Sequence, residues 1–111
     1  MKQNIEDYFE RCGGKGWMHI ERLLSTEEMG EHVSMYAKVT IDPHSSLGYH
    51  EHHGDGESYY ILEGEAIYND NNDTTLILHP GDVTFTPDGK GHGIENDQDT
   101  PLVFMALIIK A

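Results

Sequence analysis

The 111-residue sequence predicts a single all-β domain, a sandwich or barrel of short strands. Three observations predict it. Val33, Met35, Ala37, Val39 and Ile41 alternate with His32, Ser34, Tyr36, Lys38 and Thr40, the period of a half-buried strand. Further on, short β-prone segments (SYYIL, AIY, TTLIL, VTFT) are separated by turn-forming clusters. Almost nothing after residue 31 carries a helical period.

In chain order, the first expected element is a helix within residues 1–13. Ile5, Tyr8, Phe9 and Cys12 fall on one helical stripe, Asn4 is a fair N-cap, and Gly13-Gly14 stops it. A short strand follows from Trp17 to Leu24. Ser25 and Glu28 have capping-box spacing, enough for one helical turn. The 33–41 strand closes at Asp42-Pro43 and opens the expected barrel core, 33–109. SYYIL ends at Gly64, and NDNND at 69–73 joins AIY to TTLIL as a hairpin. HPGD and PDGKG flank VTFT, whose Val83 and Phe85 alternate toward one face, expected to be the core. LVFMALII at 102–109 is apolar on both faces, as in a strand buried on both sides. No composition shift marks a linker, so 1–111 is read as one domain.

Composition narrows the partners. Twenty acids against seven bases give a formal charge of −13, which opposes nucleic acid and anionic lipid. The only arginines, Arg11 and Arg22, lie near the N-terminus, and beyond residue 40 only Lys90 and Lys110 are basic. Phosphorylated or multiply carboxylated ligands want several cations or a bidentate guanidinium, so a small neutral or monoanionic ligand is expected instead. Cys12 is the sole cysteine, which rules out an intrachain disulfide and suits a reducing compartment. With no apolar stretch long enough for a spanning helix and no signal-peptide pattern in MKQNIEDYFE, the expectation is a soluble cytoplasmic protein.

Chemistry concentrates in GYHEHHGDGESYYILEG, residues 48–64. On an extended chain His50 and His52 point to one side while Glu51 and His53 point away. The GDG turn allows Glu57, at the start of the next strand, to face the same volume. Two imidazoles and a carboxylate form a facial set for a transition metal, with His92 the best candidate for a fourth ligand. From local spacing alone, a solvated histidine loop and a metal site both remain open. Tyr59 and Ile61 share the face of Glu57, and Ile94 lies two residues from His92; these three are candidate pocket residues.

The two stretches together resemble the cupin superfamily. Its first motif runs glycine, five residues, His-x-His, three or four residues, glutamate, six residues, glycine; here His50, His52, Glu57 and Gly64 fit. The opening glycine departs from the pattern, since Gly48 lies only two residues before His50. The second motif is met at every position by Gly81, Pro87, Gly89, His92 and Asn96. The resemblance covers residues 43–96 and implies a double-stranded β-helix, a jelly-roll barrel. It also implies that His50, His52, Glu57 and His92 are ligands of one divalent transition ion, whether manganese, iron, cobalt, nickel, copper or zinc. Small cupins include dioxygenases, decarboxylases, isomerases and lyases, so the fold selects no reaction. A metal-dependent enzyme of a small molecule is the leading expectation, and a non-catalytic ligand-binding or sensor module is the alternative. Asn96 is expected to fix a loop by hydrogen bonds. A homodimer is expected from the small core and the apolar C-terminal strand.

Overall fold

The structure, a computed structural model, describes residues 4–111. Ten strands and one helical turn follow in order: β1 (Asn4–Phe9), β2 (Trp17–Arg22), α1 (Thr26–Met29), β3 (Val33–Ile41), β4 (Ser45–Glu51), β5 (Asp55–Glu63), β6 (Ala66–Asp70), β7 (Thr74–Leu78), β8 (Val83–Thr86), β9 (Gly91–Asn96) and β10 (Leu102–Lys110). They form two antiparallel sheets, one in the order β1-β2-β3-β10-β5-β8 and one in the order β4-β9-β6-β7. The inward rows of both sheets meet in one core that includes Ile20, Val39, Ile41, Ile61, Tyr68, Ile94 and Phe104. This is a two-sheet sandwich, as the alternating pattern predicts, with the jelly-roll form that the resemblance implies.

The expected N-terminal helix is a strand. Residues 1–3 of that segment lie outside the described residues. From Asn4 to Phe9 the chain pairs with β2, from Asn4↔Arg22 to Phe9↔Trp17. Glu6 and Tyr8 turn toward the protein while Ile5 and Phe9 face solvent, 50% and 57% exposed. The helical stripe was coincidental: pairing with β2 runs along the whole strand and outweighs weak helical preference. Only a 3-10 turn, Arg11–Gly13, remains, with Cys12 in left-handed backbone at φ 56°. Among the described residues the six-stranded sheet thus includes β1 and β2, ahead of the expected 33–109 core.

Elsewhere local signals act as their chemistry requires. Ser25 and Glu28 form the capping box reciprocally, at 3.1 and 2.9 Å, over the single turn of α1. Asn71 and Asn72 both take φ 58°, as a two-residue hairpin turn demands, and the Asp73 amide donates to the Asp70 carbonyl at 3.0 Å. Asn96 is fully buried: its amide donates to the carbonyls of Ile41, Asp42 and Thr100, and its oxygen accepts from the Gln98 amide. It ties the β3–β4 and β9–β10 connections together.

One face assignment reverses. Val83 and Phe85 point outward, 65% and 56% exposed, and Thr86 is buried instead. The interior of β8 is polar because the Thr86 hydroxyl completes a hydrogen-bonded group around His92. The C-terminal strand is buried on its inner row, Phe104 and Ala106, while Met105 and Leu107 on its outer row are half-buried. No helix among the described residues is long and apolar enough to cross a membrane.

Candidate metal centre

The four predicted ligands converge. One donor atom from each of His50, His52, Glu57 and His92 lies within 4.8 Å of all the others. His50 comes from β4 and His92 from β9, directly paired across the sheet. His52 follows β4, and Glu57 enters from β5 in the opposite sheet after the tight Gly54 turn. The cluster thus bridges the two sheets.

Distances and tautomers fit a cation. His52 Nε2 and His92 Nε2 are 3.1 Å apart, and each lies 3.0 Å from Glu57 Oε1. His50 Nε2 is 4.0 Å from the same oxygen. Donors sharing an ion at about 2.1 Å and near right angles stand about 3 Å apart, so the observed spacing suits a common metal. Every Nδ1 is engaged elsewhere, which leaves Nε2 for the centre. His50 Nδ1 donates to the Gly48 carbonyl at 2.8 Å and His52 Nδ1 to Asp55 at 2.7 Å. His92 Nδ1 meets the hydroxyls of Tyr68 and Thr86 at 2.8 and 3.0 Å, and these two bond each other.

Charge follows the same plan. Burial pushes the Glu57 carboxyl upward, but hydrogen bonds from His50, His52 and His92 more than reverse this and hold it well below the usual carboxylate range. The His52 imidazole is raised by its bonds to Glu57 and Asp55, whereas burial lowers that of His92. A carboxylate kept ionised among imidazoles is the donor set of a divalent transition ion.

The cluster opens on a cavity of about 170 Å³. His50, His52, Glu57 and Tyr59 form its polar floor, and apolar side chains of β2, β3 and β10, among them Ile20, Val39 and Phe104, form its walls. Tyr59 stacks on His92 with ring centres 4.7 Å apart, and its hydroxyl is 3.3 Å from His92 Nε2. Ile61 and Ile94 do not line this cavity. They are 1% and 2% exposed in the core, beyond the floor, where Ile94 is paired with Leu47 and Tyr68. A larger hollow of about 870 Å³ runs along β1, β2 and α1, but among the described residues no comparable set of donors converges there.

The sequence reading missed two groups. Arg11 and Arg22, remote in sequence from the histidines, line the cavity mouth. The small number of basic residues was the reason for expecting no multiply carboxylated ligand; the β1–β2 hairpin gathers two of those few at one cavity. Asp55 and the Tyr68–Thr86 pair were also missed; only Asp55, three residues after His52, left a sequence signal. Replacing Asp55 by alanine is expected to lower transition-metal affinity by about 10- to 100-fold, the usual effect of losing a carboxylate behind a ligating histidine. Competition with a chromogenic chelator measures it, and an unchanged affinity would mean that the turn alone holds His52.

Comparison with known proteins agrees with this geometry. The family model described as "Cupin domain" matches residues 37–108, and the chain belongs to the cupin family. It is 44% identical over 97 residues to the oxalate-binding protein of Thermotoga maritima, covering 87% of this chain and 79% of that one. A crystal structure of a predicted oxalate decarboxylase from Thermotoga maritima superposes with a TM-score of 0.93 at 39% identity, covering 99% of this chain and 95% of that one. Oxalate decarboxylase OxdC of Bacillus subtilis is 33% identical over 75 residues, 64% of this chain but only 20% of that protein's length. The polyketide cyclase RemF of Streptomyces resistomycificus shares the fold, with a TM-score of 0.77 at 20% identity over 98% of this chain and 79% of that one.

Proposed function

We propose that this protein captures a small oxygen-donating carboxylate of the oxalate class on a divalent transition ion held by His50, His52, Glu57 and His92. The observation that carries the reading is the convergence of three imidazole Nε2 atoms and one carboxylate at the floor of a cavity whose mouth is lined by both arginines. An ion held by these four residues would supply a Lewis-acid centre able to accept ligand oxygens. The cavity of about 170 Å³ limits the ligand to a few heavy atoms, well below the common range of drug-sized sites. The names of the Thermotoga maritima and Bacillus subtilis relatives support the ligand class.

Capture fits the lining better than turnover does. Beyond the candidate ligands, no carboxylate, lysine or histidine among the described residues lines the cavity to move a proton. A decarboxylase is the second reading, and the Tyr59 hydroxyl favours it. Burial keeps this phenol protonated, and it stands close to His92 Nε2. Calorimetric titration of oxalate into manganese-loaded and metal-free protein tests the reading, with formate and carbon dioxide assayed in the same samples. Metal-dependent binding without product supports capture; sustained formate release supports the decarboxylase; no metal-dependent binding contradicts both.

For assembly we propose a homodimer through the outer face of the six-stranded sheet. Register aligns Tyr36, Leu107, Ser58 and Phe85 in one row and Lys38, Met105, Tyr60 and Val83 in the next. Tyr36, Tyr60, Leu62, Val83, Phe85 and Ile109 are 39% to 65% exposed. At roughly half of a ~200 Å² side chain each, they offer on the order of 600 Å² of largely apolar area, near the ~800 Å² per partner of a standard interface. Across β3, β10, β5 and β8 these two rows carry no carboxylate in a chain of charge −13, and Glu21, which extends the second row onto β2, stands opposite Lys38, so two copies can meet here with little repulsion. Sedimentation should show a dimer at micromolar concentration and a monomer for the Val83→Lys, Phe85→Lys double variant. A monomeric parent would rule the interface out.

A further inference from the structure

The chain has two arginines, and the fold brings both to one cavity in a protein otherwise rich in acid. Their situations differ. Arg22 is matched: its Nε and a terminal nitrogen donate to the two oxygens of Glu6, at 2.8 and 3.2 Å, and the Tyr8 hydroxyl also donates to Glu6. This bidentate pair holds the Glu6 carboxyl down at about 2, so the pair stays neutral overall. Arg11 forms no ion pair with a described carboxylate. Its guanidinium lies 4.0 Å over the Tyr8 ring, a stacking contact that orients the group while leaving its in-plane N–H donors available.

The loop carrying Arg11 is firmly seated. The Glu10 amide donates to the Gly16 carbonyl at 2.8 Å, closing the loop on itself. The Ser46 amide donates to the Lys15 carbonyl at 2.7 Å, and the Lys15 amide to Ser46 Oγ at 2.9 Å. Lys15 also pairs with Glu95 at 3.2 Å. Gly14 and Gly48 let the two backbones touch: a Cβ on Gly48 would stand 1.9 Å from the Cys12 carbonyl oxygen. The glycine that departs from the family motif is therefore the one against which the Arg11 loop packs.

Resting on the proposed metal-dependent capture, we infer that Arg11 is the specificity residue of the site, receiving the second carboxylate of a small dicarboxylate whose oxygens chelate the ion. Among the described residues, no other lining cation is free of a carboxylate partner. The remaining walls are apolar apart from the Cys12 thiol, and Arg22 is committed to Glu6. A guanidinium suits this task because it binds a carboxylate through two parallel hydrogen bonds and keeps its charge at any working pH. A ligand with a single carboxylate, such as glycolate, can chelate the ion but presents no second carboxylate to Arg11.

The test uses manganese-loaded parent and Arg11→Met proteins, titrated calorimetrically with oxalate and with glycolate; the methionine keeps the packing over Tyr8. The expected result is a loss of about 10- to 100-fold in oxalate affinity, the scale of hydrogen bonds to a charged group, with manganese content and glycolate affinity unchanged. Arg11→Lys should recover only part of the loss. Equal oxalate affinity in parent and Arg11→Met, or an equal loss for both ligands, would overturn the assignment. A parent that binds manganese but no oxalate would overturn the assignment together with the oxalate class of ligand. A parent that binds no manganese would show instead that the metal reading itself fails.

Discussion

His92→Ala is expected to abolish stable metal binding, lowering affinity by at least about 100-fold, beyond the usual cost of losing a partner behind the ligands. His92 is wholly buried, and its Nε2 is 3.0 Å from Glu57 and 3.1 Å from His52, so no neighbouring donor can take its place. The variant also loses the stack on Tyr59 and leaves the Tyr68 and Thr86 hydroxyls to bond only each other. Elemental analysis of protein purified without chelators, with circular dichroism as a control for folding, measures the effect. Equal metal content in parent and variant would place the metal elsewhere.

The largest effect on stability is expected from Gly48→Ala. The added carbon would meet Cys12 O at 1.9 Å, Cys12 C at 2.7 Å and Gly14 N at 2.8 Å, all of them backbone. Backbone cannot rotate away as a side chain can, so the 10–16 loop must lift from β4 and give up its two hydrogen bonds to Ser46. A cost of about 3 kcal/mol follows from overpacking of this kind, a fall of roughly 10–15 °C in melting temperature for a domain of this size. Gly54→Ala is the comparison. Nothing lies within 4 Å of its Cβ, and only its φ of +83° opposes the change, so about 1 kcal/mol is expected. Urea denaturation of both variants measures the difference. Equal costs would show that the loop is not clamped against β4. Since the same loop carries Arg11, Gly48→Ala should also weaken oxalate binding.

Much of this organisation was legible because short-range chemistry wrote it. The alternation from Val33 to Ile41, the NDNND hairpin and the Ser25–Glu28 box each declare their structure within a few residues. The four candidate ligands were legible because two motifs with fixed spacing carry them; local spacing alone left a solvated loop open for His50, His52 and Glu57 and made His92 only a candidate fourth ligand. What failed depended on partners distant in sequence. Residues 4–9 carry a helical stripe, yet β2 recruits them as a strand. Val83 and Phe85 alternate as a core row would, yet the need for Thr86 at His92 turns them outward. Ile61 and Ile94 share faces with ligands but lie deeper, where the core has already closed. Arg11 and Arg22 gave no sign of belonging to the site, because the hairpin that folds them over it is the element the sequence misdescribed.

One transition ion is expected to bind between His50, His52, Glu57 and His92. Anomalous scattering at the manganese edge, from crystals of manganese-loaded protein soaked in oxalate, tests it most directly. The predicted result is a single strong peak between the three Nε2 atoms and the Glu57 carboxylate, with oxalate oxygens beside it. A peak confined to surface pairs such as His44 with Asp99, or no peak at the cluster, would contradict it.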